Sequence, residues 1–72
     1  MKVEIHYCPT SSGYDTRAAS LAAEITEKLE IPASAVPGST GQFDVVADGR
    51  VLFSKHAEGR FPEHGEILAQ LG

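Results

Sequence analysis

Val3, Ile5 and Tyr7 alternate with Lys2, Glu4, His6 and Cys8, the two-residue period of a strand that buries one face. The turn-rich stretch Pro9-Thr10-Ser11-Ser12-Gly13 follows. Tyr14, Ala18, Leu21, Ala22, Ile25 and Leu29 then fall on one stripe, which predicts an amphipathic helix of about four turns. Asp15, Arg17, Glu24, Glu27, Lys28 and Glu30 take its solvent side. Ser11 or Ser12 is placed to accept hydrogen bonds from its first unpaired amides, Ser12 with Asp15 approximates a capping box, and Asp15 suits the positive end of the helix dipole. Ile31-Pro32 is expected to close the helix, because the residue before proline is pushed out of the α region.

Residues 33 to 40 are weakly patterned, with room for a short edge strand around Ser34 to Val36. Phe43 to Ala47 and Arg50 to Lys55 are β-rich runs joined by Asp48-Gly49, which fits a two-residue type I′ hairpin turn. His56 to Gly59 read as a loop. Phe61, Ile67, Leu68 and Leu71 mark a short terminal helix with Pro62 in its first turn, weakened at Gly65 by about 1 kcal/mol relative to alanine. The order β-α-β-β-β-α makes the first two strands parallel through a right-handed crossover, with the hairpin adding antiparallel strands. A two-layer α/β sandwich follows, a mixed four-stranded sheet with both helices on one face and the other face open.

With 72 residues the chain has room for one core, and residues 1–72 are expected to form one domain. Hydrophobic residues at 42% and charged residues at 22% argue against a disordered chain. Six basic and ten acidic residues leave a formal charge of −4, and the basic ones are scattered, so a nucleic-acid surface is not expected. No stretch approaches the roughly 18 apolar residues of a membrane span, and the amino terminus lacks a signal-peptide pattern. A single cysteine leaves stability to packing alone and points to a reducing compartment, the cytoplasm.

That cysteine, Cys8, is placed where the first strand runs towards the first helix. Helix amides favour an anion and can lower a thiol pKa well below about 8.5, and His6, when protonated, would add a nearby positive charge. Pro9 removes one amide donor from the same place. The plainer alternative is a small, inert, buried side chain. Ser11 and Ser12 cannot resolve a mixed disulfide, so intramolecular disulfide chemistry is excluded. His6, His56 and His64 with Cys8 match no zinc spacing, and no metal site is expected. Ser11 and Ser12 lack the histidine and carboxylate of a hydrolytic nucleophile, and Arg60 beside Phe61 is better read as an exposed arginine next to a core anchor than as an anion clamp.

Val3-Glu4-Ile5-His6-Tyr7-Cys8, Ser12-Gly13-Tyr14 and Arg17-Ala18-Ala19-Ser20-Leu21 resemble the opening of the selenoprotein W-like family, also called Rdx. Gly41-Gln42-Phe43-Asp44-Val45-Val46-Ala47-Asp48-Gly49, Phe53-Ser54-Lys55 and Gly59-Arg60-Phe61-Pro62 resemble its second half. The resemblance implies a thioredoxin-like fold and thiol redox chemistry linked to glutathione, built on a Cys-x-x-Cys or Cys-x-x-selenocysteine motif. Carried over, Cys8 takes the first motif position. The second falls on Ser11 by spacing from Cys8, or on Ser12 by the Gly-Tyr pair that follows. In either place a hydroxyl replaces the resolving sulfur or selenium.

Two functions remain in view. In the first, Cys8 is a lone redox thiol that forms mixed disulfides with glutathione or a partner protein, and an external thiol resolves them. In the second, the chain is a non-catalytic binding module with a degenerate redox motif. Its open sheet face, where Val46 and Leu52 are expected to project, would support a partner or a weak homodimer.

Overall fold

Val3 and Ile5 are fully buried, whereas Glu4 and His6, which alternate with them, are half-exposed, so the first strand has one dry face. The computed structural model describes residues Met1 to Gly72. Its elements are β1 (Val3–Tyr7), α1 (Tyr14–Leu29), β2 (Ala33–Pro37), β3 (Phe43–Ala47), β4 (Arg50–Ser54), α2 (Lys55–Glu58) and α3 (His64–Leu71). The sheet order is β2-β1-β3-β4, with β1 parallel to β2 and antiparallel to β3, and β4 antiparallel to β3. This is the predicted mixed sheet. β1 lies inside it, so the loop leaving β1 meets the loop entering β3.

α1 and α3 close the dry face. Ala18, Leu21, Ala22 and Ile25 of α1 and Ile67 of α3 pack with Val3, Ile5, Phe43, Val45, Ala47 and Phe53 in one cluster. Fully burying a large aliphatic or aromatic side chain contributes about 1.5–3 kcal/mol, so this cluster carries most of the stability. The two helices touch, and His64 Nδ1 donates to Glu24 Oε1 at 2.8 Å between them.

Several local expectations change. α1 starts at Tyr14 behind Gly13, which takes φ 81°, and no side chain caps it. Neither Ser11 nor Ser12 acts as the predicted cap: Ser11 turns its hydroxyl to Cys8, while Asp15 accepts the first-turn Thr16 N–H at 2.8 Å. The helix ends at Leu29, before Ile31-Pro32, with Glu30 in the left-handed region and its N–H bonded to Thr26 O. The edge strand β2 is longer than expected and ends on Pro37, whose missing N–H is tolerated at a sheet edge. Lys55 to Glu58 form one helical turn where a loop was expected, closed by the Gly59 N–H on Lys55 O at 2.7 Å. α3 starts at His64, beyond Pro62, because Glu63 and Glu66 form a reciprocal capping box there.

Asp48 and Gly49 have φ 49° and 81°, the paired positive angles of the predicted type I′ turn. A bulge between Val45 and Val46 then shifts the hairpin register: Val45 faces Phe53 but Val46 faces Val51. Leu52 is the extra residue and packs against the core, so it is not on the open face as expected. Val51, 59% exposed, takes that place beside Val46.

Candidate functional site

Strand alternation put Cys8 with the polar residues of β1, but β1 ends at Tyr7 and Cys8 is wholly buried. Its side chain lies outside the main apolar cluster, walled by two loops. The Cys8 N–H donates to Gln42 O at 2.8 Å, and the Gly38 N–H donates to Tyr7 O at 2.7 Å, which stitches the loop after β1 to the segment between β2 and β3.

The sulfur is surrounded by donors. Ser11 Oγ donates to Cys8 Sγ at 3.1 Å, and Thr10 Oγ1 lies 3.3 Å away. The backbone N–H groups of Gly41 and Thr10 complete the set. These donors favour the thiolate, Ser11 foremost, then Thr10 and Gly41; burial opposes them and loses, and the pKa falls from 9.0 to about 6. A free thiol at that value is mostly ionised at neutral pH.

The donors differ from those expected. His6 Nε2 sits 3.1 Å from Glu4 Oε1, on the open sheet face, and contributes nothing to the sulfur. The α1 terminus begins only at Tyr14, and hydroxyls and loop amides replace its dipole. Ser12 is exposed and makes no hydrogen bond to Cys8. His56 is exposed on α2, and His64 is held by Glu24, so the three histidines are dispersed. Arg60 grips Glu66 through two hydrogen bonds of 2.7 and 3.0 Å, an ion pair that pulls the Glu66 carboxyl down to about 2 and leaves the arginine committed internally.

Three contributors escaped the sequence reading: Thr10, Gly41 and Gln42. Gly41 has φ 74°, which favours glycine and turns its amide towards the sulfur. Gln42 holds this turn, accepting the Ser39 N–H at 2.8 Å and donating to Asp44 Oδ2 at 2.8 Å. The one available signal was the small-residue run Gly38-Ser39-Thr40-Gly41 ahead of a strand. Beside it a shallow polar cleft of about 430 Å³ is lined by Ser39, Thr40, Gly41, Gln42, Asp44, Ser54 and His56.

No helix is long and apolar enough to cross a membrane. No curated protein matches the chain. Among solved structures, it is similar to a selenoprotein W-related protein from Vibrio cholerae, with TM-score 0.87 and 25% identity over 96% of this chain and 89% of that one. It is also similar to a protein from Bordetella parapertussis, with TM-score 0.79 and 30% identity over the same shares of each chain. The layering and sheet are a thioredoxin-like arrangement, shared with the selenoprotein W-related neighbour from Vibrio cholerae. The family model described as the Rdx family matches residues 2–72, with the strand, thiol loop and hairpin inside its span, and the chain belongs to that family.

Proposed function

We propose that Cys8 is a lone redox thiolate that exchanges with disulfides of glutathione or of a partner protein. The observation that carries this reading is the donor cage of Ser11, Thr10 and Gly41, which brings the thiol to about 6. Ser11 stands three residues after Cys8 with its hydroxyl on the sulfur, which favours it over Ser12 for the second redox position, and the chain has no second cysteine to resolve the product. The Cys8 thiolate attacks one sulfur of the disulfide; a new S–S bond forms, the old one breaks, and the other half leaves as thiolate. A second external thiol, as thiolate, then attacks the mixed disulfide and frees Cys8. Cys8 is fully buried, so exchange requires a local opening, and the exposed Pro9-Thr10 segment that follows it is the part this reading needs to move. The cycle needs a supply of reducing thiol, as in the cytoplasm.

The test is incubation of the reduced protein with oxidised glutathione, followed by peptide mass analysis. One glutathionyl group on Cys8, removed by a monothiol, is expected. A Cys8 that titrates near 9 and stays unmodified would overturn the reading. The second reading, a binding module with no thiol chemistry, draws on the apolar pair Val46 and Val51 on the open sheet face. It predicts that Cys8→Ser keeps every cellular effect of the protein.

A further inference from the structure

Of the six basic side chains, Lys2, Lys28 and Arg60 form ion pairs with Glu4, Glu24 and Glu66, while Arg17, Arg50 and Lys55 have no carboxylate in pairing range. Arg50 follows the hairpin turn, at the far end of the sheet from Cys8. The other two unpaired cations meet on one ring. The Arg17 guanidinium lies 4.0 Å from the Phe61 ring centroid, and Lys55 Nζ lies 5.4 Å from it and 5.8 Å from that of Tyr14. Tyr14, Phe43 and Phe61 stack edge to face with centroids 5.0 to 6.1 Å apart, which makes a stiff platform under the two charges. The nearest carboxylates in sequence are otherwise engaged: Asp15 holds the Thr16 N–H, and Glu58 lies in the field of Arg60.

Topology places this platform beside the thiol. β4 runs in the same direction as β1, with β3 between them, so Lys55 and Cys8 leave the same end of the sheet about 10 Å apart, two strand spacings. Arg17 is in the first turns of α1, at that same end.

We propose that Arg17 and Lys55 on the Phe61 platform dock an acidic segment of the protein whose disulfide Cys8 exchanges with, the carboxylates lying about three extended residues from the reacting cysteine. The proposal rests on the redox reading and names its partner class. On a chain of net charge −4, two unpaired cations at the reactive end give local attraction for an acidic segment where the rest of the surface repels it. Their stems and guanidinium rest on aromatic faces, so they are held in place without losing their outward charge.

Two peptides test it, identical except for glutamates or lysines three residues from a cysteine carried as its 2-pyridyl disulfide. The Cys8 thiolate attacks the peptide sulfur, the S–S bond to the pyridyl group breaks, and pyridine-2-thione is released and read optically. The acidic peptide is expected to react about tenfold faster at low salt, with the advantage shrinking as salt is added. It is expected to vanish in Arg17→Gln/Lys55→Gln and to reverse in Arg17→Glu/Lys55→Glu, each with unchanged circular dichroism. Equal rates for the two peptides, or a preference that survives in both variants, overturn the docking surface. If neither peptide reacts, the redox reading fails, and docking is decided separately: Cys8→Ser is titrated with serine versions of the peptides. Amide shifts at Arg17, Lys55 and Phe61 with the acidic peptide alone support the surface, and their absence overturns it.

Discussion

Ser11→Ala removes the largest of the influences that hold the Cys8 thiolate. The sulfur keeps the Thr10 hydroxyl and the Gly41 and Thr10 amides, and burial still opposes ionisation. Four donors together bring the pKa from 9.0 to about 6. Because burial works against them, an equal share is at least about three quarters of a pH unit each, and Ser11 comes first, so its loss raises the titration midpoint by about one pH unit. At pH 6.5 the thiolate fraction then falls from about three quarters to about one quarter, so alkylation by iodoacetamide slows about threefold. At pH well above the shifted midpoint the variant reacts at least as fast as the parent, because its thiolate is more basic and therefore more nucleophilic. The assay is the alkylation rate from about pH 5 to 10, with circular dichroism to confirm the fold. A midpoint that does not move, or one that moves less than in Thr10→Ala, would refute the assignment of Ser11 as the principal donor.

The same donors link the thiol to stability. The folded pKa of Cys8 lies below that of the unfolded chain, so its contribution is complete above about pH 9 and is lost as the pH falls through about 6. The melting temperature of the parent relative to Cys8→Ser, which has no such titration, is expected to rise over that window; a flat difference would contradict it. Ser11→Cys is expected to form an internal disulfide with Cys8, since Ser11 Oγ already lies 3.1 Å from the sulfur, whereas Ser12→Cys is not; thiol counting after mild oxidation separates them. Gly38→Ala places a methyl against Gln42 Oε1, which displaces the amide that holds Ser39 and Asp44. The Gly41 N–H should loosen and the Cys8 midpoint rise by less than in Ser11→Ala, as read by the same alkylation profile. Phe43→Ala empties a site that is 1% exposed between Tyr14 and Phe61 and is expected to cost about 3–5 kcal/mol in urea unfolding, a large part of the roughly 4–11 kcal/mol typical of a 72-residue domain.

What was legible in the sequence was local. The alternation of Val3 and Ile5, the stripe from Ala18 to Ile25 and the Asp48-Gly49 turn each write their structure within one element, and each is present. Leu52 was misplaced because the bulge belongs to the pairing of two strands, and a single inserted residue exchanges the faces of Val51 and Leu52. The Lys55–Glu58 turn was hidden because four residues are too few to show a helical period. The thiol site was hidden for a further reason. Ser11 and Ser12 carried a strong local cue for capping, but the helix begins only at Tyr14 behind Gly13, and Ser11 is turned so that its hydroxyl donates to the Cys8 sulfur.

One part of the cage comes from far along the chain. Gly41 acts through a backbone amide, which leaves no side-chain signature, and it reaches Cys8 only because β1 lies between β2 and β3. That strand order brings the loop leaving β1 against the turn entering β3, and Cys8 N–H to Gln42 O fastens them. The lowered pKa of Cys8 therefore depends on the topology as well as on the Cys8-Pro9-Thr10-Ser11 segment. Excising that segment as a peptide should return the thiol towards 9, since Gly41 is gone and nothing holds Ser11 and Thr10 on the sulfur. A peptide thiol that still titrates near 6 would show that the loop alone suffices.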